Sequence, residues 1–254
     1  MTSTLELLSF VATDRGLNGD KIRYMICDEL REAVAPHIDK FLTSTEENSR
    51  FVLEQYALGI LNLYGLLPYT EFLKQLTGYL KGSMTKDEIA KGLSNSMLMR
   101  QLTFDIEDIY NSVMYVRSPL LLEVEDLEER LYAHRAIKSL KKFTIEEVLS
   151  AGTMPVFYIS NPHSDQLKGF MMRKLGYNEE LAEAKIQWLW YAIQMDENPM
   201  SAIVSAIDTK VLSMQELQEV VGIAVNYCND CPRWFLKGHS STEASALLGR
   251  GESV

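Results

Sequence analysis

Apolar residues recur at helical spacing through most of the chain. One run extends from Phe51 to Leu66 and is apolar around much of its circumference, and a second, from Leu181 to Ile193, has a wide apolar face. Apolar positions that repeat with a period of about 3.6 residues indicate amphipathic helices. Because exposed apolar patches of this width are unusual on soluble monomers, we expect both helices to be buried within the fold.

Helix-start signals stand ahead of the amphipathic runs. In a capping box, a Ser or Thr hydroxyl accepts from an early helical N–H while a Glu three residues later reaches back to the cap. Five pairs have this spacing: Ser3 with Glu6, Thr43 with Glu46, Thr85 with Glu88, Thr144 with Glu147, and Ser213 with Glu216. Asn198 followed by Pro199 predicts a further start, since Asn favours the cap and Pro the first helical position.

One segment alternates like a β-hairpin. Residues 102–106 alternate in polarity and residues 112–116 are rich in β-formers, with polar residues between them. Three predicted helices precede this hairpin: Phe51 to Leu66, Tyr69 to Leu80, and Lys86 to Gln101. Three helices followed by a two-stranded wing is the order of a winged-helix module, whose third helix enters the major groove in DNA readers. A second β-prone stretch, Pro155 to Ile159, predicts a strand or a buried loop.

These patterns together predict a mostly α protein with a winged-helix-like part and a C-terminal helical bundle. We expect an N-terminal helical segment at residues 1–45, a winged-helix-like subdomain at 46–120, and the bundle at 121–254. At most one of Trp188 and Trp190 should be exposed. The expected bundle core is Trp188, Trp190, Ile203, Ile207, Leu217 and Val221.

Charge and cysteine content restrict the functional classes. The 254 residues include 25 Lys and Arg against 35 Asp and Glu, a formal net charge of -10. Sequence-independent binding of nucleic acid needs a dense basic surface, which this excess of acidic residues does not favour. Only 3 cysteines occur, which excludes a disulfide scaffold and favours the reducing cytoplasm. No apolar stretch approaches ~18 residues, so we expect no membrane span.

A metal site is the sharpest chemical candidate. Cys228 and Cys231 have the spacing that lets two sulfurs reach one ion, and His239 follows. Structural zinc needs four ligands and catalytic zinc three plus water. Pro232 disfavours continuation of the helix past Cys231, so we expect Cys231 to point away after a turn. We therefore predict no metal and no cofactor, and little loss of stability on replacing both cysteines by serine, provided that neither is deeply buried.

Catalytic motifs are missing from the sequence. It contains no Gly-x-Ser-x-Gly, no phosphate-binding loop and no dinucleotide fingerprint. We therefore expect a non-enzymatic interaction or regulatory protein that acts on a protein partner, with an acidic, DNA-mimicking inhibitor of a nucleic-acid enzyme as one variant. A metalloenzyme using Cys228, Cys231 and His239 ranks last.

The alternative function is a winged-helix nucleic-acid-binding protein. It requires four basic residues on one face: Lys86, Lys91, Arg100 and Arg117. Asp87 and Glu88 nearly balance the charge of the predicted third helix, and a phosphate-contacting surface should be more basic. The fold prediction can stand while the DNA-binding interpretation weakens, because fold alone does not decide function.

A resemblance to a known family lies near the C-terminus. Residues 229–243 carry a Pro-x-Trp…Lys-Gly-His-(Thr/Ser)-x-x-Glu pattern, formed by Pro232, Trp234, Lys237, Gly238 and His239. This pattern resembles helical bacterial proteins related to the SEC-C motif family. Residues 62–65 with 71–73, and residues 155–158, are similar to two further patches of that group. The resemblance implies a helical fold.

The family's metal-binding tail has no counterpart in this sequence. That tail carries Cys-x-Cys followed by Cys-Cys or Cys-His, so the resemblance implies no metal site here. The residues themselves favour a structural role: we expect Trp234 and the stem of Lys237 to cover the end of the helical core. Gly238 would then permit a turn, and His239 would cap or contact the backbone.

Overall fold

The computed structural model describes residues 11–15, 22–26, 32–33, 45–107, 112–121, 137, 139–152, 158–195, 199–208 and 211–249. The chain divides into two compact units, Met1–Leu53 and Glu54–Val254. From residue 54 onward, the predicted winged-helix-like and bundle segments belong to the same unit. Within the described ranges, no helix combines the length and the hydropathy needed to cross a membrane.

The first unit contains a β-hairpin where the sequence predicts helix. Strands β1 (Val11–Arg15) and β2 (Ile22–Ile26) pair antiparallel in register from end to end. The prediction of a helical segment at residues 1–45 is therefore wrong over both strands. Its physical reason is in the sequence: β-branched residues occur in both strands and an aromatic residue in β2, and these residue types favour strands.

Helices and a small sheet alternate in the next part of the chain. The elements are α1 (Thr45–Tyr64), β3 (Leu66–Pro68), α2 (Tyr69–Tyr79), α3 (Lys86–Asn95), α4 (Met97–Leu102), β4 (Thr103–Glu107) and β5 (Ser112–Arg117). Strand β5 lies in the middle of this sheet and pairs antiparallel with β3 on one side and β4 on the other. The predicted hairpin is confirmed as β4 and β5. Strand β3 is not predicted, because three residues are too few to show an alternation.

Two predicted helix boundaries differ in the structure. Helix α1 ends at Tyr64 instead of Leu66, since Gly65 has φ 74° and turns the chain into β3. The predicted third helix breaks at Ser96, whose ψ of 117° is extended. The Ser96 hydroxyl accepts from the N–H of Met99 at 3.2 Å as the cap of α4, and it donates to the Glu54 carboxylate at 2.6 Å. A local capping contact therefore divides the helix in two.

The C-terminal half is helical. Its elements are α5 (Ile145–Ala151), α6 (Pro162–Lys174), α7 (Glu179–Gln194), α8 (Pro199–Ala206), α9 (Met214–Asp230), a 3-10 turn (Trp234–Leu236) and α10 (Ser241–Gly249). Helix α7 packs against α6 and α8, α9 packs against the same two helices, and α10 packs on α9. The prediction of a mostly α protein with a small hairpin is confirmed.

Three of the predicted capping boxes are present in full. They begin α3, α5 and α9, with Thr85 and Glu88, Thr144 and Glu147, and Ser213 and Glu216. Helix α8 begins at Pro199 as predicted. Ser3, Glu6, Thr43 and Asn198 lie outside the described residues. Pro155 to Phe157 also lie outside them, and Tyr158 and Ile159 are not in a strand.

Three of the six predicted core residues are buried, and the expectation that at most one of Trp188 and Trp190 is exposed is confirmed. Trp190, Ile203 and Ile207 are buried, whereas Trp188 is 38% exposed. Leu217 and Val221 are only half-buried. Four residues of helix α9 are buried: Val220, Ala224, Tyr227 and Cys228. Val221 therefore lies at the side of the buried face, and Leu217 lies next to the exposed first turn. Periodicity predicts that a helix has an apolar face. The packing of neighbouring helices decides how the helix is rotated about its axis, and so which residues point into the core.

A close approach of α1 and α5 gives the first testable prediction. A Cβ atom on Gly59 would lie 1.9 Å from the carbonyl oxygen of Val148. We therefore expect Gly59→Ala to lower the free energy of unfolding by about 1–3 kcal/mol through overpacking, although alanine is the better helix former. Gly222→Ala in α9 is the control, because its Cβ would meet nothing within 4 Å, and it should be neutral or stabilising by up to ~1 kcal/mol.

Urea unfolding followed by circular dichroism measures both variants. If Gly59→Ala and Gly222→Ala changed stability equally, helices α1 and α5 would not pack as closely as described.

Candidate functional site

Trp234 connects three parts of the second unit. Its indole Nε1–H donates to the carbonyl oxygen of Asn62 in α1 at 2.8 Å, and its backbone N–H donates to Oε1 of Gln194 in α7 at 3.0 Å. Its ring meets that of Trp190 edge-on, with centroids 5.8 Å apart. The side chain is 4% exposed. The sequence-predicted Trp234 is thus an anchor of the core, as expected from its residue type.

Buried amides complete the hydrogen bonds around Trp234. Asn62 donates from Nδ2 to the carbonyl oxygen of Ala151 at 2.8 Å and accepts from the Ser118 hydroxyl at 2.7 Å. Gln194 donates from Nε2 to the carbonyl oxygen of Pro232 at 2.9 Å. Since a buried polar group without a partner costs stability, these satisfied amides fix how α1, α7 and the Pro232 segment meet.

Two glycines allow close contacts at this anchor. Gly65 has φ 74°, and a Cβ there would lie 2.4 Å from the Trp234 ring. Gly238 has φ 81°, and a Cβ there would lie 2.8 Å from the Phe143 ring. Only glycine meets both requirements without strain. The predicted turn at Gly238 is therefore present. The predicted backbone contact of His239 is present too, since Nε2 lies 3.2 Å from the Ser139 carbonyl oxygen.

Residues 139–143 are held against α1 and α2. The Tyr64 hydroxyl donates to the Lys141 carbonyl oxygen, and the Tyr79 hydroxyl donates to that of Phe143 at 2.9 Å. Burial raises the pKa of Tyr64 well above its usual value, so this hydroxyl stays protonated. Lys141 also forms an ion pair of 2.8 Å with Glu243. These bonds give the segment a fixed position beside the Trp234 turn.

A cleft of about 840 Å³ opens between these elements. We call it the Trp234 cleft. Its floor and walls include the apolar residues Leu66, Leu67, Pro68, Leu140 and Trp234, and its charged residues are Glu71, Lys74, Lys142 and Lys237. Its volume lies within the range of small-molecule and cofactor sites, about 300–1,000 Å³. The cleft therefore combines an apolar surface with lysine ammonium groups.

The charged groups of the cleft differ in how far other protein atoms already bind them. Glu71 accepts from Gln75 Nε2 at 2.8 Å and from Lys74 Nζ at 3.4 Å, so its carboxylate is engaged by its own helix. Lys142 is exposed. Lys237 is half-buried and donates from Nζ to the Ile137 carbonyl oxygen. Burial lowers the pKa of Lys237, with Glu71 acting in the opposite direction.

The four candidate phosphate contacts do not share one role. Lys86 and Lys91 are exposed on α3 next to Asp87 and Glu88. Arg100 instead donates to the Ser94 carbonyl oxygen at 2.8 and 3.0 Å and so caps the end of α3. Arg117 is half-buried on β5 and donates to the Leu121 carbonyl oxygen at 3.2 Å. Both guanidinium groups are therefore used to hold the backbone.

The cysteine pair is buried instead of available to a ligand. Cys228 and Cys231 are 1% and 0% exposed. Burial raises the pKa of the Cys228 thiol to about 11 and raises that of Cys231 further. Helix α9 ends at Asp230, and Cys231 follows with extended backbone angles. Among the residues that the structure describes, no group of three or more His, Cys, Asp or Glu could hold a metal ion.

Of the three histidines other than His239, only His163 lies within the described residues. His163 Nε2 is 3.3 Å from the Asp230 carboxylate, and its backbone N–H donates to the Asn161 side chain at the start of α6. Asn161 is the N-cap of α6, and His163 lies in its first turn. His37, His134 and Cys27 lie outside the described residues.

Comparison with protein-family models, with curated proteins and with solved structures finds no match for this chain. The resemblance to SEC-C-related proteins stays a prediction. Two of its patches nevertheless meet in the structure, since residues 62–65 contact the Trp234 turn.

Sequence reasoning identified the Trp234 turn but missed the opposite wall of the cleft. Lys74, Lys142 and Gln194 were not singled out. Gln194 had one usable signal, a polar residue directly after the apolar residues in the last turn of α7. Lys142 had none, because an exposed lysine in a basic run is normally a solvated side chain.

The indole hydrogen bond gives a prediction for stability. We expect Trp234→Phe to lower the free energy of unfolding by about 1–3 kcal/mol, because it leaves the buried Asn62 carbonyl without this donor. Trp188→Phe is the matched control, since Trp188 is 38% exposed, and its effect should stay within ~0.5 kcal/mol. Thermal unfolding of both variants distinguishes them; an equal effect would mean that the Nε1 bond contributes nothing.

The expectation that both cysteines can be replaced with little loss of stability holds only if neither is deeply buried, and this condition is not met. The Sγ of Cys231 lies in a fully buried position, where a serine hydroxyl would lose its solvation. We expect Cys231→Ser to lower the free energy of unfolding by about 1–3 kcal/mol. Urea denaturation measures this loss, and an unchanged midpoint would contradict the burial of the site.

Proposed function

We propose that this chain is a non-enzymatic interaction protein that binds its partner through the Trp234 cleft. The observation that carries the proposal is the cleft itself: an apolar floor with three lysines, on walls fixed by Trp234, Asn62 and Gln194. A preformed concave site with a few converging polar groups is the usual form of a binding site.

The chemistry of the lining residues supports binding over catalysis. The Tyr64 hydroxyl donates to a backbone carbonyl, and its raised pKa keeps it protonated. The Lys237 ammonium also donates to a backbone carbonyl, and Glu71 accepts from its own helix. A nucleophile or general base needs a free lone pair near the reacting atom at working pH. These three groups instead stabilise the fold through hydrogen bonds and set the charge of the cleft.

The N-terminal part of the second unit supports the same proposal. The order α1, β3, α2, α3, α4, β4, β5, with β5 between β3 and β4, resembles the arrangement of a winged helix whose third helix is divided into α3 and α4. Val113 and Met114 on the wing strand are 40% and 45% exposed. An apolar wing suits contact with protein better than contact with phosphate.

Nucleic-acid binding is the second candidate, favoured by that strand and helix order. In it, α3 would enter the major groove with Lys86 and Lys91. The engagement of Arg100 and Arg117 with backbone carbonyls weighs against it. A cytoplasmic location belongs to the proposal as well, because Cys228 and Cys231 are free thiols.

Two charge reversals distinguish the candidates. Lys142→Glu changes the cleft and Lys91→Glu changes α3, with the same change in net charge and both at exposed positions. Wild type and both variants serve as bait in nuclease-treated lysate, and each is titrated with mixed-sequence duplex DNA at low salt. We expect one set of partner proteins to be retained by Lys91→Glu and lost with Lys142→Glu, and no variant to bind DNA.

The opposite pattern would support the second candidate. If wild type bound duplex DNA with a steep salt dependence and Lys91→Glu removed that binding, the winged-helix-like part would be a DNA reader. Partner recovery that Lys142→Glu leaves unchanged would contradict the role of the cleft.

A further inference from the structure

The Trp234 cleft carries positive charge on a negative protein. Its lining has three lysines and one glutamate, whereas the whole chain has a formal net charge of -10. Glu71 is already engaged by Lys74 and Gln75, so the Lys142 and Lys237 ammonium groups are the charges left to face a ligand. A negatively charged ligand therefore fits the cleft locally.

Lys237 has a backbone that its residue type does not favour. Its φ of 55° and ψ of 38° are left-handed, and it is the one non-glycine residue with positive φ among the described residues. Glycine or asparagine would adopt this conformation at lower cost. The side chain is also half-buried at the cleft. One of its N–H donors reaches the Ile137 carbonyl oxygen, and an ammonium group has three, which leaves donors for a ligand.

The apolar part of the cleft defines the rest of the ligand. Leu66, Leu67 and Pro68 form a fixed strand, held by pairing with β5, and line the cleft beside Leu140 and Trp234. Burying apolar ligand surface against these residues is favourable because it removes that surface from water. A ligand that presents only charge would leave this surface unused, so the ligand needs apolar groups next to its acidic ones.

The overall charge disfavours a long polyanion as the ligand of the cleft. A nucleic acid or an extended acidic tract would experience the repulsion of the protein's formal net charge of -10, whereas a short ligand interacts mainly with the lysines within about one screening length, ~8 Å in physiological salt. The volume of about 840 Å³ also limits the ligand to a few side chains.

We propose that the Trp234 cleft binds a short acidic and apolar peptide segment of the partner protein, with carboxylates at Lys142 and Lys237 and apolar side chains on Leu66, Leu67 and Pro68. This inference rests on the proposed function, since it names the chemistry of the partner that the cleft holds. Charge-assisted hydrogen bonds from the ammonium groups give orientation, and the apolar floor provides the remaining affinity.

The test uses three blocked pentapeptides and isothermal titration calorimetry with the full chain. The first alternates glutamate and leucine, the second replaces each glutamate by glutamine, and the third replaces each leucine by glycine. We expect the first to bind and the other two to bind at least about tenfold more weakly. Binding of the first peptide should also weaken with added salt.

Protein variants locate the site. Lys142→Met should weaken binding of the glutamate–leucine peptide by about tenfold, because one ion pair is lost without any loss of core packing. Lys237→Met should do the same, and Lys237→Arg should restore much of the affinity. Lys91→Met, an exposed lysine on α3, is the control and should leave binding unchanged.

Each other outcome overturns the inference. Equal binding of the glutamate and glutamine peptides would remove the role of charge, and equal effects of Lys142→Met and Lys91→Met would move the site elsewhere. Equal or tighter binding of 3-phenylpropionate would assign the cleft to a small carboxylate instead of a peptide. If the peptides fail to bind while partner capture still depends on Lys142, the acidic-segment inference fails alone; if capture is also independent of Lys142, the proposed function fails with it.

Discussion

The hydrogen bond from the Trp234 indole to the Asn62 carbonyl oxygen is the contact on which the second unit depends. Helix α1 ends at Tyr64, so the carbonyl groups of its last turn have no partners within the helix. Trp234, 172 residues further along the chain, supplies the donor for one of them. The Asn62 side chain meanwhile binds the end of α5 and Ser118 beyond β5. One residue thus joins the N-terminal part of the second unit to the C-terminal helices.

Gly65 makes this contact geometrically possible. Its positive φ ends the helix and its missing side chain leaves room for the indole ring. Strand β3 then begins at once and pairs with β5, while the Ser118 N–H donates to the Gly65 carbonyl oxygen at 2.6 Å. The termination of a helix, the start of a strand and the seating of an aromatic ring are therefore one local arrangement.

The Trp234 cleft follows from the same arrangement. Strand β3 forms one wall because Gly65 turns the chain. Lys237 forms another wall because it follows the 3-10 turn that begins at Trp234 and has a left-handed backbone. Residues 139–142 are drawn to the same place by the hydroxyl of Tyr64 and by the hydrogen bond between the Lys141 N–H and the Lys237 carbonyl oxygen. Positive charge collects at the cleft because separate segments each bring a lysine to it, which is how a locally basic site forms on an acidic chain.

The sequence by itself determined the features that depend on neighbours along the chain. Capping boxes at Thr85, Thr144 and Ser213, the hairpin of β4 and β5, and the mostly α character all follow from local periodicity and side-chain capping. Only the tertiary structure decided which face of α9 is inward and the meeting of Lys74, Lys142 and Lys237 around one cleft. The physical reason is range: capping and periodicity act within a few residues, whereas burial and charge clustering depend on segments brought together across more than a hundred residues.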